Sequence, residues 1–141
     1  MGDGLMAIHK GKSKKDNALN ATRSALAILE TTSRFNQELE GRFDPITINI
    51  GISSGIAAVG VTKFASLGGE RWTYTATGPI SNLASRLCSA TEEGTILIDE
   101  ETAKRVNKDI EIRKLGKRQF KNIGAFVTVF MAVRELSSNH S

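Results

Sequence analysis

An α+β fold, with helices packed on a mixed or mainly antiparallel sheet, is what this sequence predicts. Three observations carry that expectation. A long stretch from Ala18 to Gly41 repeats its apolar residues at three- and four-residue spacing. Runs such as "ITINI" (46–50), "WTYTAT" (72–77) and "FVTVFMAV" (126–133) are β-branched, aromatic or alternating. Helix-like and strand-like segments interleave, and the chain closes on two strand-like runs around "NIGA".

Each element follows in order. "LMAIHK" (5–10) reads as a short strand, and "GKSKKDN" as a turn with Asp16 or Asn17 as N-cap. Ala18, Ala21, Ala25, Ile28, Phe35 and Leu39 form the apolar stripe of a long helix, widened by Leu26 and Leu29. Gly41 suits its end. Residues 46–62 read as strand-rich, with Ile46, Ile48 and Ile50 alternating with polar residues. Gly51, Gly55 and Gly60 mark bulges or close backbone approach there. "KFASLGGER" reads as an exposed loop or hairpin tip before the strand "WTYTAT". A helix from Pro79 to about Ala90, a strand "TILID" (95–99), a short helix "EETAKRVNK" and a final antiparallel pair complete the order β-α-β-β-α-β-α-β-β.

Length and composition narrow the classes. At 141 residues the chain is one domain with room for a core. Hydrophobic content of 40 % and charged content of 24 % are ordinary for a globular protein, and no apolar run approaches a membrane span. The N-terminal residues do not read as a signal peptide. Cys88 is the one cysteine and falls on the apolar side of a helix, which fits a small buried hydrophobe and a reducing, cytoplasmic setting. Net charge is +4, with basic clusters at 9–15 and between Lys104 and Lys121. Such clusters can hold phosphate or nucleic acid. Solvated loops and strand edges account for them, so no nucleic-acid partner is expected.

The stretch "WTYTATGPISNLASRLCSAT" is the most informative. On a helical wheel Ile80, Leu83, Ala84, Leu87 and Cys88 share one face, and Ser81, Asn82, Ser85, Arg86 and Ser89 lie opposite. Asn82 and Arg86 are neighbours one turn apart. An Arg offers a planar fork of donors for phosphate oxygens, and an Asn can hold a ribose oxygen. Periodicity alone leaves an exposed polar face and a site for an anionic ligand both open.

"YTATGPISNLASRL" resembles the strand-turn-helix signature of the class III nucleotidyl cyclases, the adenylate and guanylate cyclase catalytic domains. "MGDGLMAIH", "INIGISSGIAAVG", "EEGTILIDEET" and "LGKRQFKNIGAFVTVFMA" resemble further motifs of that family in the same order, so the likeness runs from Met1 to about Val133. It implies a ferredoxin-like cyclase domain that converts ATP to cyclic AMP and pyrophosphate in second-messenger signalling, with Mg2+ or Mn2+. By the same resemblance Asp3 is a metal ligand and Asn82 orients the ribose. Arg86 stabilises the reacting phosphate, and Lys121 binds the terminal phosphates. Thr75 stands where the family reads the purine, and a Thr there resembles a bacterial subgroup that uses ATP. Between glycines, Asp3 alone would read as a turn residue, and Lys121 as one more charge in a basic strand pair, with Lys117 and Arg118 as nearby substitutes.

The family's first strand, with its first metal aspartate, its first helices and its base-reading lysine, has no counterpart before Met1. The expectation is a partial cyclase domain over 1–134 with a flexible tail over 135–141, impaired in activity. A non-catalytic nucleotide-binding or dimerisation remnant is the alternative. The resemblance further implies a head-to-tail homodimer, with 59–74 as the arm reaching across, and regulatory domains upstream in the parent protein.

Overall fold

A four-stranded mixed sheet and a separate two-stranded ribbon organise the chain. The computed structural model describes residues 4–66, 69–91, 94–121 and 123–137, of which 58–77 by backbone alone. Among these residues are three helices, α1 (Lys14–Glu38), α2 (Pro79–Ala90) and α3 (Glu100–Val106). The strands are β1 (Ile50–Ile52), β2 (Ala58–Ser66), β3 (Gly69–Thr77), β4 (Ile96–Asp99), β5 (Ile110–Gln119) and β6 (Phe126–Glu135). The sheet order is β1-β4-β6-β5; β1 runs parallel to β4 and the other pairs are antiparallel. β2 and β3 pair from Ala58 opposite Thr77 to Ser66 opposite Gly69. The α+β expectation holds.

Helices cover both faces of the sheet. β4 is apolar along its first three residues because it lies between two layers, as central strands do. Ile96 and Ile98 join Ile110 and Ala132 beneath α1 and α3, which contribute Ala18, Leu19, Ala25, Ala103 and Val106. Leu97 points the other way and meets Val129 and Leu87 of α2. Leu87, Ile96, Ile98 and Val129 are fully buried. No helix among the described residues is long and apolar enough to cross a membrane.

Several expectations are corrected. Residues 5–10 form no strand; Leu5 is 94 % exposed and Met6 55 %. A strand needs a hydrogen-bonding neighbour, and the sheet order supplies none for this segment. α1 starts earlier than read: the Ser13 hydroxyl, not Asp16 or Asn17, caps it by accepting from the Asp16 N–H at 3.3 Å. Its stripe is buried over Ala18–Ala25, whereas Ile28 and Phe35 are each 45 % exposed. The strand-rich stretch 46–62 holds β1 and the start of β2, but its alternating beginning at 46–49 is not strand. The Asn36 amide holds Ile46 by both its N–H and its C=O, at 2.8 Å each, so a side chain takes the place of a strand neighbour there. Of the two readings of "KFASLGGER", the hairpin tip is the one found: Phe64 opposite Arg71 to Ser66 opposite Gly69 close the β2–β3 ribbon, and Leu67 and Gly68 lie outside the described residues.

The outer edge of β5 is protected by its sequence. Arg113, Lys114, Lys117 and Arg118 are exposed along it, and two register shifts interrupt its pairing with β6. Charged side chains and bulges keep an edge from recruiting another strand.

Candidate functional site

The turn into α2 is built from two residues with opposite restrictions. Gly78 sits at φ 114, ψ −176, a conformation that a side chain disfavours. Pro79 follows at the first helical position, where a missing N–H costs nothing. The Asn82 N–H then closes the first turn on the Gly78 carbonyl at 3.1 Å.

The apolar side of α2 is seated on β1 at very short range. A Cβ on Gly51 would overlap the Ala84 carbonyl oxygen and the Cys88 nitrogen, and would lie 2.9 Å from the Leu87 Cβ. Only a glycine lets helix and strand approach this closely. Beyond β1, the Ser53 hydroxyl donates to the Ile80 carbonyl, and a Cβ on Gly55 would lie 2.6 Å from Ile80 Cδ1. The Cys88 thiol, half-buried rather than buried, donates to the Asn49 carbonyl at 3.3 Å. These contacts turn the opposite side outward: Asn82, Ser85 and Ser89 are exposed and Arg86 is half-buried.

Lys121 is exposed in the turn after β5. With Gln119, Phe120, Ile123 and Gly124 it lines an open cleft of about 630 Å3. Phe120 packs against the Leu87–Leu97–Val129 cluster, so the Lys121 turn and α2 rest on one apolar patch. Arg118 stands opposite Val127, which packs on the same patch, and therefore rises from the α2 side of the sheet. No acidic residue occurs between Ile112 and Val133, so the charged side chains of this part of the β5–β6 pair are all basic.

The structure thus brings Asn82 and Arg86 of α2 onto the same sheet face as the Lys121 turn. Thr75 is placed in β3 opposite Gly60, three residues before Gly78, and its side chain is not among those described. Asp3 lies outside the described residues. Among the described residues no group of three or more His, Cys, Asp or Glu could hold a metal ion.

At the end of β4, Asp99 is 5 % exposed and caps α3. Its carboxylate accepts from the Thr102 N–H at 3.0 Å and from the Thr102 hydroxyl, which lies 2.7 Å from the Ser54 hydroxyl. Burial raises its pKa above 3.8, against hydrogen bonds from Thr102 and the Ser54 backbone that lower it. Two contributors to the site were not assigned from sequence. Ser53 gave no signal in one dimension. Gly51 gave a partial one, because a glycine between isoleucines in a strand suggests close approach.

Known proteins add to this geometry. The family described as "Adenylate and Guanylate cyclase catalytic domain" matches residues 1–133. An adenylate cyclase of Mycobacterium bovis is 26 % identical over 111 residues, which are 79 % of this chain and 24 % of that protein. An adenylate cyclase of Mycobacterium tuberculosis matches to the same extent. Among solved structures, the adenylyl cyclase CyaB from P. aeruginosa superposes with a TM-score of 0.76 at 30 % identity, covering 92 % of this chain and 64 % of that one. The guanylate cyclase domain of RhGC from Catenaria anguillulae, solved with GTP, shares the fold at a TM-score of 0.70 and 23 % identity, covering 86 % of this chain and 62 % of that one. The chain spans about a quarter of the curated relatives it matches and under two thirds of these structures.

Proposed function

The chain belongs to the adenylate and guanylate cyclase catalytic domain family, and on that premise we propose that it takes part in converting ATP to cyclic AMP and pyrophosphate. The observation that carries this reading is the shared seat of α2 and the Lys121 turn, which sets Asn82, Arg86 and a lysine around one sheet face.

The reaction is an internal displacement. The ribose 3′-oxygen loses its proton and bonds to the α-phosphorus, while the bond from that phosphorus to the β-phosphate oxygen breaks and pyrophosphate leaves with the electron pair. Negative charge spreads over the phosphate oxygens on the way, so positioning and cationic donors do most of the work. In this reading the Asn82 amide fixes the ribose. The Arg86 guanidinium donates to the α-phosphate where charge accumulates. Lys121 holds the terminal phosphates, and Thr75 meets the purine edge. Members of the family use divalent ions, and Asp3 is the proposed ligand in this chain; such an ion supplies charge neutralisation and lowers the pKa of the hydroxyl. The site is proposed to be completed between two copies, each lending α2 and the β5–β6 turn to the other's Asp3.

The test is cyclic nucleotide production from ATP and, separately, from GTP, with Mg2+ and with Mn2+. Cyclic AMP as the main product, lost in Arg86→Ala and Asn82→Ala, is expected. A preference for GTP would overturn the assignment of the base. No product from either, with nucleotide still bound, would favour a non-catalytic nucleotide-binding module.

A further inference from the structure

We propose that Ser53 is a positioning residue that fixes the first turn of α2, and through it Asn82 and Arg86, relative to the sheet. The inference rests on geometry at the C-terminal end of β1, where two consecutive serines engage two helices. The Ser53 hydroxyl donates to the Ile80 carbonyl, two residues before Asn82. The hydroxyl of Ser54, a residue 9 % exposed, lies 2.7 Å from the Thr102 hydroxyl in the first turn of α3. Successive residues of an extended chain point to opposite faces, so one dipeptide ties α2 on one side and α3 on the other.

The Ser53 bond matters because α2 has no side-chain cap: Gly78 at its N-cap offers none. Gly51 fixes how closely the middle of the helix approaches at Ala84 and Cys88, and the Cys88 thiol ties the C-terminal part of α2 to the Asn49 carbonyl, which leaves the position of the first turn to be set. A hydrogen bond to Ile80 sets that remaining coordinate at the end where Asn82 sits. Ser53 touches no substrate in this account; it acts through α2.

The claim about the α2 turn stands without the cyclase reading, whereas its catalytic consequence rests on it. The experiment therefore has two readouts on Ser53→Ala, Ser53→Thr and Ser54→Ala in the full chain. The first is amide hydrogen exchange. Ser53→Ala is expected to speed exchange of the Asn82, Leu83 and Ala84 amides by about fivefold to tenfold, the effect of one lost hydrogen bond. Ser53→Thr, which keeps the hydroxyl, should restore protection. Ser54→Ala should change α3 and leave α2 alone. The second is the kinetics of ATP turnover: Ser53→Ala should lower kcat more than it raises KM, with recovery in Ser53→Thr. Unchanged exchange in α2, or equal loosening by Ser53→Ala and Ser54→Ala, overturns the proposal. Faster α2 exchange in a chain that turns over no nucleotide would uphold the positioning and remove the cyclase reading.

Discussion

Phe120 packs against the cluster that Leu87 forms with Leu97 and Val129, and each of the two stands next to a candidate phosphate-binding residue, Lys121 and Arg86. The two cations come from segments more than thirty residues apart, and this apolar patch is what gives them a common base.

Phe120→Ala should therefore act on Lys121. The side chain is partly buried, so its loss is expected to cost about 2 kcal/mol, below the range for a fully buried Phe. KM for the triphosphate should rise with little change in kcat. Lys121→Ala should raise KM about tenfold without moving Tm, the scale of one charged hydrogen bond. Steady-state kinetics beside thermal unfolding separates the two; equal Tm losses would argue against a phosphate role for Lys121.

Gly51→Ala should be costly although it adds a single methyl. The new Cβ meets the backbone of α2 at Ala84 and Cys88, which cannot rotate away. Overpacking of this kind costs about 1–3 kcal/mol. A urea midpoint equal to that of the parent would mean that α2 shifts freely on β1.

Arg86→Ala should lower kcat by about 10²–10³, the usual loss when one donor to a developing charge is removed. Stability should stay within about 0.5 kcal/mol, because among the described residues Arg86 makes no hydrogen bond or ion pair. Arg86→Lys should not restore the rate, since a point charge cannot reproduce a two-pronged contact. Full activity in the lysine variant would reduce Arg86 to a general positive charge.

The folded protein should lose stability as pH rises from about 4 toward neutrality, to the extent that Asp99 contributes. Burial raises its pKa above 3.8, so the folded state binds the proton more tightly than the unfolded chain does. That contribution is complete below the unfolded value and disappears as pH climbs through the folded one. Asp99→Asn should remove this decline and keep an acceptor for the Thr102 N–H. Asp99→Ala should cost about 1 kcal/mol by loss of the α3 cap. Urea midpoints measured from acid to neutral pH give the comparison; parallel curves for Asp99→Asn and the parent would refute it.

Much of the fold was legible because it is local. The wheel of α2, the Gly78–Pro79 turn, the apolar run of β4 and the closing β5–β6 pair follow from periodicity and turn chemistry over a few residues. The misreadings share one cause. Residues 5–10 and 46–49 have strand-like patterns, but strand formation depends on a neighbour supplied from elsewhere in the sequence. For 5–10 the sheet offers none among the described residues, and at Ile46 an asparagine side chain took the neighbour's place.

By itself the sequence determined which side of α2 is polar, that Asn82 and Arg86 are neighbours on it, and the family to which the motifs point. These depend on spacing along one helix and on the order of short motifs. Only the tertiary structure decided that a glycine of β1 lies against α2, that Ser53 reaches Ile80, and that Phe120 sets the Lys121 turn on the same patch as Leu87. Those relationships join segments separated by tens of residues, and close packing between layers, which no one-dimensional pattern encodes, is what brings them together.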